Sequence, residues 1–315
     1  MTNYTPGSGL PAAIPLGTPS LPLSSQVSRR SRNLRGTNTP SVSYPELTEK
    51  RRRRIDADVL RQLATVMPER DHQVLELIAR HRFLTTHQIQ YFVFNSLGTE
   101  ESAARTTRHV LQRLARTALI RSLTQRIGGV RAGSSARVWQ LAPAGARLLR
   151  DDGTIYRTHE PSTRFLAHCL AVADVHLGLR GLQHLPTVDT IQVSIEPDCW
   201  RRFTGHGGEP RWLQPDLAAT VQTADYDDRW FIEVDLGTET LPTLLKKCGQ
   251  YESYCATGIE QGEHGAFPLV LWLFSKPARA DALQQAINRS PRFTPQLYRF
   301  ATADTFAEVV REPLS

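Results

Sequence analysis

The sequence predicts an α/β protein with two folded parts behind an N-terminal tail, and three observations predict it. At 315 residues the chain exceeds what one compact core needs. From Pro68 to Leu119 apolar residues recur at helical spacing, and a glycine-rich break between two short extended runs follows. From Glu160 onward, helical and extended segments alternate in the order α-β-β-β-α-β-α-β, as in a sandwich around one mixed sheet. The expected divisions are 1–54 for the tail, 55–150 for the first part and 151–315 for the second.

Residues 1–45 are rich in Pro, Ser, Thr and Gly and too poor in large apolar side chains to offset the entropy of ordering, so this stretch is expected to be disordered. It leads into two basic clusters, RRSRNLR (29–35) and KRRRR (50–54), which suit either a solvated charge run or an arm that touches phosphates. Charge is sorted by region: +7 over 1–54, +7 over 55–150, where every base is Arg, and −7 over 151–315. A basic tail and first part suit a polyanion, whereas an acidic second part meets phosphate only with cations between them. The four cysteines lack paired C-x-x-C spacing, which argues against a zinc ribbon and a disulfide scaffold. With no expected signal peptide and no expected membrane span, the reading is a cytoplasmic protein without a membrane partner.

In the first part, PERDHQVLELIARHRF places Val74, Leu75, Leu77, Ile78 and Phe83 on one helical stripe. TTHQIQYFVF opens a short second helix at Thr85 or Thr86. The third helix, EESAARTTRHVLQRLARTALI, buries Ala104, Val110, Leu111, Leu114 and Leu119 and displays Arg105, Arg108, His109, Gln112, Arg113 and Arg116. A strand, a glycine-rich turn, a second strand and the helix of VWQLAPAGARLL complete it. The TTHQI turn, the Arg-rich third helix and the VWQLAPAGARLL ending resemble winged helix-turn-helix DNA-binding domains. That resemblance implies double-stranded DNA as partner. Arg105, Thr106, Thr107, Arg108, Gln112 and Arg113 would face the major groove, and Arg126, Arg131 and Arg137 would touch the backbone from the wing. A protein–protein adaptor with a solvated Arg face is the alternative.

In the second part, strand alternation puts Glu233 and Asp235 of FIEVDL on one face and Ile232, Val234 and Leu236 on the other. Across the preceding hairpin, Asp216 can approach Glu233. Converging buried carboxylates need a positive partner, either a divalent cation or a lysine. Lys246 and Lys247 follow on the next helix, where Lys247, Tyr251 and Tyr254 share a face. The "P-D … E-x-D" pattern resembles the PD-(D/E)XK nuclease core. The resemblance implies Asp216, Glu233 and Asp235 as ligands of Mg²⁺ or Mn²⁺ and, with Lys247, as catalytic residues. Asp235 stands where that pattern has lysine, and this departure implies impaired cleavage.

Over residues 68–290, "PDLAATV", "FIEVDLGTET" and "KKCGQYESY" behind a winged helix resemble the replication-relaxation family of bacterial plasmids and integrative elements. The resemblance implies a role in plasmid replication or DNA processing, beside other replication or conjugation proteins. An active nicking endonuclease and a regulator or adaptor without catalysis are the alternatives. Asp216 and Glu233 could also pair with Arg229, Lys246 or Lys247 for structure alone. His168, His176 and Asp174 read as packed core groups. Arg201 and Arg202 of CWRRF suit a phosphate or a solvated strand edge equally.

Overall fold

The computed structural model describes residues 55, 57–96, 98–124, 127–128, 135–150, 160–205 and 207–311. The expected tail (1–54), Arg126 and Arg131 lie outside the described residues.

The first region opens with α1 (Ala57–Val66) and α2 (Glu69–His81). Then come β1 (Leu84–Thr85) and α3 (Thr86–Ile89), which runs on into one π-helical turn, and α4 (Glu100–Arg116). The four-residue α3 begins at a capping box. The Thr85 hydroxyl accepts from the Gln88 amide at 3.1 Å, and the Gln88 side chain accepts from the Thr85 amide at 3.0 Å. At α4 the Thr99 side chain accepts from the Ser102 amide, and Glu100 and Glu101 oppose the helix dipole. The strands β2 (Ile120–Ser122), β3 (Ile127–Gly128), β4 (Ser135–Ala136) and β5 (Val138–Leu141) follow, then α5 (Pro143–Leu149). A three-stranded antiparallel sheet runs β1-β5-β2, and β3 pairs with β4. Val74, Leu75, Ile78, Leu111 and Leu114 fill the core beneath. Gly145 is required where α5 crosses Leu119: a Cβ there would lie 2.1 Å from the Leu119 carbonyl oxygen.

The second region begins with α6 (Thr163–Leu182). By length and composition this helix is apolar enough to cross a membrane, yet 56% of its 18-residue apolar window is buried inside the fold, as in a core helix. The following elements are β6 (Thr190–Ile195), β7 (Arg201–Thr204), β8 (Pro210–Leu213), β9 (Leu217–Gln222) and β10 (Asp227–Asp235). After them come α7 (Leu241–Cys255), α8 (Ile259–His264), β11 (Leu269–Phe274), α9 (Pro277–Asn288), β12 (Tyr298–Thr302) and α10 (Phe306–Arg311). Five strands form one mixed sheet in the order β12-β11-β10-β9-β6. β6, β9 and β10 form antiparallel pairs, and β10, β11 and β12 run parallel. The two faces bury separate cores. Trp230, Ile232 and Val234 pack with Val175 and Leu179 of α6, while Phe231 packs with Leu244 and Tyr251 of α7.

The regions meet along α6, which lends Ala173 to the first core. His81 and His176 share a 3.1 Å hydrogen bond between ring nitrogens, and burial pushes both down to about 3, so the pair is neutral. The expectation that His176 is a packed histidine therefore agrees with its place. Gln88 donates to the Leu170 carbonyl and, at 2.7 Å, to Asp174. Burial pushes Asp174 up to about 7, despite the Gln88 bond. Its folded pKa exceeds its unfolded one, so its contribution to stability is full below pH 4 and is lost as pH rises towards 7. Asp174→Asn should remove that slope. Urea titrations across pH 4–8 should show the variant gaining on the parent by up to about 4 kcal/mol, at about 1.4 kcal/mol per pKa unit.

Candidate functional site: an acid pair neutralised from within

β9 and β10 place two carboxylates side by side. Their ladder ends with Leu217 opposite Ile232, so the next residues, Asp216 and Glu233, are neighbours across the strands. One Asp216 oxygen accepts from the Val234 amide at 2.8 Å, and the other lies 3.1 Å from His168 Nε2 on α6. Glu233 accepts from the Tyr251 hydroxyl at 2.5 Å, and its second oxygen lies 2.6 Å from Lys247 Nζ. Lys247 and Tyr251 are one turn apart on α7, as their spacing predicts. Glu233 is 2% exposed and Asp216 6%.

Burial raises Glu233 to about 7, opposed by the Lys247 charge. For Asp216 burial acts upward, but the His168 hydrogen bond and the Lys247 charge outweigh it and hold the carboxyl below its usual range. Burial would lower Lys247, yet the charges of Glu233 and Asp216 prevail and keep its ammonium above the usual lysine value. His168 is raised in the same way, burial being outweighed by Asp216. The expectation of a packed core histidine is corrected at this position. The signal available in the sequence was its place on the helix leading into the sheet.

Asp235 does not join the pair. It shares the sheet face of Glu233, but one oxygen accepts from Arg279 Nε of α9 at 2.6 Å and the other from the Gly237 amide at 3.1 Å. The expected convergence of three acids is thereby corrected. An arginine 44 residues further along the chain reaches Asp235 and neutralises it separately. Among the described residues no group of three or more His, Cys, Asp or Glu side chains gathers as a metal cluster would. Arg229, considered as a partner for the acid pair, donates instead to Glu260, as do Arg201 and Tyr254.

On α4, Arg105, Arg108, His109, Gln112 and Arg116 are exposed, and Thr106 is half-buried with its hydroxyl on the Ser102 carbonyl. Two expected groove residues turn inward. Thr107 is buried and donates to the Ala103 carbonyl, and Arg113 holds Asp71 of α2 through two bonds of 2.9 and 2.5 Å. The periodicity that points Arg105 and Arg108 outward carries Thr107 and Arg113 into the helix packing. Arg137 is exposed, with its guanidinium over Trp139 at 5.6 Å.

The fold and site define a mixed α/β protein with a buried acid pair at the meeting of two sheet strands, met by a part-exposed lysine from the following helix. The sequence profile of the replication-relaxation family matches residues 75–270, more than half of the chain, and the chain belongs to that family. No curated protein matches it. Among solved structures it is similar to the restriction endonuclease FokI, with 14% identity and a TM-score of 0.24. That similarity covers 76% of this chain and 42% of the FokI chain, less than half the length of that enzyme.

Proposed function

We propose that the chain is a DNA-binding protein that acts in the replication or DNA processing of a mobile element. On this reading residues 55–150 are a winged helix-turn-helix that holds double-stranded DNA. Residues 151–315 are a PD-(D/E)XK-like unit that grips DNA without cutting it. The single observation that carries the proposal is the Asp216–Glu233 pair on adjacent strands, met by Lys247 from the following helix. The order α6-β6-β9-β10-α7-β11, three antiparallel strands and then a helix and a parallel strand, supports the nuclease-like assignment. The helices α2 to α4 on the sheet β1-β5-β2 support the winged-helix assignment, with α4 as the reading helix and Arg105, Arg108 and Gln112 towards the groove.

All six oxygens of Asp216, Glu233 and Asp235 have protein donors. Mg²⁺ and Mn²⁺ favour oxygen ligands, and Mg²⁺ keeps several waters in a near-ideal octahedron. An ammonium, a guanidinium, an imidazole, a hydroxyl and two backbone amides already occupy those oxygens, which supports a site closed to such ions. One observation favours a second reading, a metal-dependent nicking endonuclease. Asp216 and His168 border a cleft between the regions that is also lined by Arg80, Arg82 and Glu196.

Two assays separate the readings. Supercoiled plasmid incubated with Mg²⁺ or Mn²⁺ should remain supercoiled with the parent and with Asp216→Ala and Glu233→Ala alike. Nicking by the parent that both substitutions abolish would establish the endonuclease instead. Duplex DNA should be retained on native gels by the parent, less so as salt rises. Arg105→Ala with Arg108→Ala should weaken retention about tenfold or more and make the salt dependence shallower by about two phosphate contacts. Unchanged retention in that double variant would remove α4 as the reading element.

A further inference from the structure

The hairpin of β7 and β8, inserted between β6 and β9, has one face closed and one open. On the closed face Phe203 and Leu213 are buried with Phe231 and Tyr254. Arg201 lies over the Phe231 ring at 5.4 Å and donates to Glu260 and to the Cys199 carbonyl, both at 2.9 Å. At the tip Glu209 pairs with Arg211. These contacts fix the hairpin against the sheet.

The open face carries Arg202 directly opposite Trp212, and Thr204 opposite Pro210. Trp212 is 51% exposed, the highest value for a large hydrophobic side chain among the described residues. Arg202 is exposed and has no hydrogen bond or ion pair among the described residues. Trp139, Trp230 and Trp272 are buried and Trp200 is partly so, which sets Trp212 apart. From Trp212 the chain runs through Leu213, Gln214 and Pro215 directly into Asp216 of the acid pair.

A free indole beside a free guanidinium on a fixed support matches one nucleotide. The ring stacks on a base, whatever its identity, and the cation meets the flanking phosphate. A base inside a duplex is stacked on its neighbours and offers no free face, so the match is to an unpaired one. A protein-docking patch would instead present several apolar side chains within a polar rim, whereas here a single aromatic stands among Arg, Thr and Pro.

We propose that this face of the hairpin binds an unpaired nucleotide of single-stranded DNA, Trp212 stacking on the base and Arg202 holding the phosphate. The inference rests on the DNA-binding reading above and names the strand state that the second region contacts.

The test uses the full chain and an oligothymidylate of roughly 20 nucleotides, a length that spans a typical single-strand site. Tryptophan fluorescence and anisotropy are followed, with a duplex titrated in parallel. The parent should bind the single strand with quenching. Trp212→Phe should keep the affinity and lose the quenching. Trp212→Ala should bind the single strand about tenfold more weakly, with its thermal melt and its duplex retention unchanged. An abasic strand of equal length should bind the parent no better than oligothymidylate binds Trp212→Ala. Unchanged single-strand affinity in Trp212→Ala overturns the proposal. So does concentration-dependent self-association that Trp212→Ala abolishes and DNA does not affect, because the face then belongs to a second copy of the chain. Retention of duplex without retention of single strand refutes this inference alone, whereas retention of neither refutes the DNA-binding reading itself.

Discussion

Lys247→Ala should destabilise the fold by about 3–5 kcal/mol, the usual cost of leaving a buried charge without its partner. That is a large share of the roughly 5–15 kcal/mol by which folded domains are stable. The expectation follows from the geometry. Nζ lies 2.6 Å from Glu233, and its charge also acts on Asp216. Without it, two neighbouring carboxylates remain out of water with a hydroxyl, an amide and an imidazole as donors. The pH dependence gives the prediction its sign. Glu233 already sits near 7 in the folded protein, and losing the ammonium moves it higher. A carboxyl whose folded pKa exceeds its unfolded value binds more protons when folded, so stability falls as pH climbs between the two values. The deficit of Lys247→Ala should therefore widen as pH rises above about 7, where the parent's Glu233 has lost its proton and the variant's keeps it, in urea titrations from pH 5 to pH 9. Pairing Lys247→Met with Glu233→Gln should restore most of the loss, since both charges then leave together. A deficit below about 1 kcal/mol, or one that does not change with pH, would mean that Lys247 is not what makes the acid pair tolerable.

Much of this site was legible because it is written at short range. Alternation along FIEVDL assigns Glu233 and Ile232 to opposite faces, and the four-residue step from Lys247 to Tyr251 brings both onto Glu233. The order of the five sheet strands with α6, α7 and α9 followed from the same two periods, whereas the short helices α8 and α10 were not expected. What the sequence could not show is which partner a charge finds when that partner lies far along the chain. Arg279 takes Asp235 away from the expected trio across 44 residues, and His168 reaches Asp216 across 48. The β7–β8 hairpin was missed for another reason. PRWL reads on without a break into the Leu213–Gln222 stretch, so β8 and β9 look like one strand. The chain in fact turns there, with Pro215 and the buried Asp216 between the two. Helical period marked α4 as two-faced, yet Thr107 falls within the buried stripe of Ala103, Val110, Leu111 and Leu114, and Arg113 beside that stripe turns in to Asp71.

Arg113→Ala should therefore act on stability, whereas Arg108→Ala should act on DNA. The Asp71 side chain is completely buried, and Arg113 supplies the two guanidinium bonds that hold α4 to α2. Removing the arginine takes both guanidinium bonds from that buried carboxylate, at a cost of about 3–5 kcal/mol. Arg113→Met with Asp71→Asn should recover much of it, because the anion is removed with its partner. Arg108 is exposed, so its truncation should change stability by less than about 0.5 kcal/mol. It should instead lower duplex affinity and the steepness of its salt dependence by about one phosphate contact. Thermal melts and gel retention on the two single variants thus separate a strut from a contact on the same helix. If Arg113→Ala melts like the parent but loses DNA, the guanidinium leaves Asp71 to reach the groove, and the energetic weight given to this pair is wrong. If Arg108→Ala loses neither stability nor DNA, the exposed arginine face of α4 is only a solvated surface, and the second region must hold DNA without it.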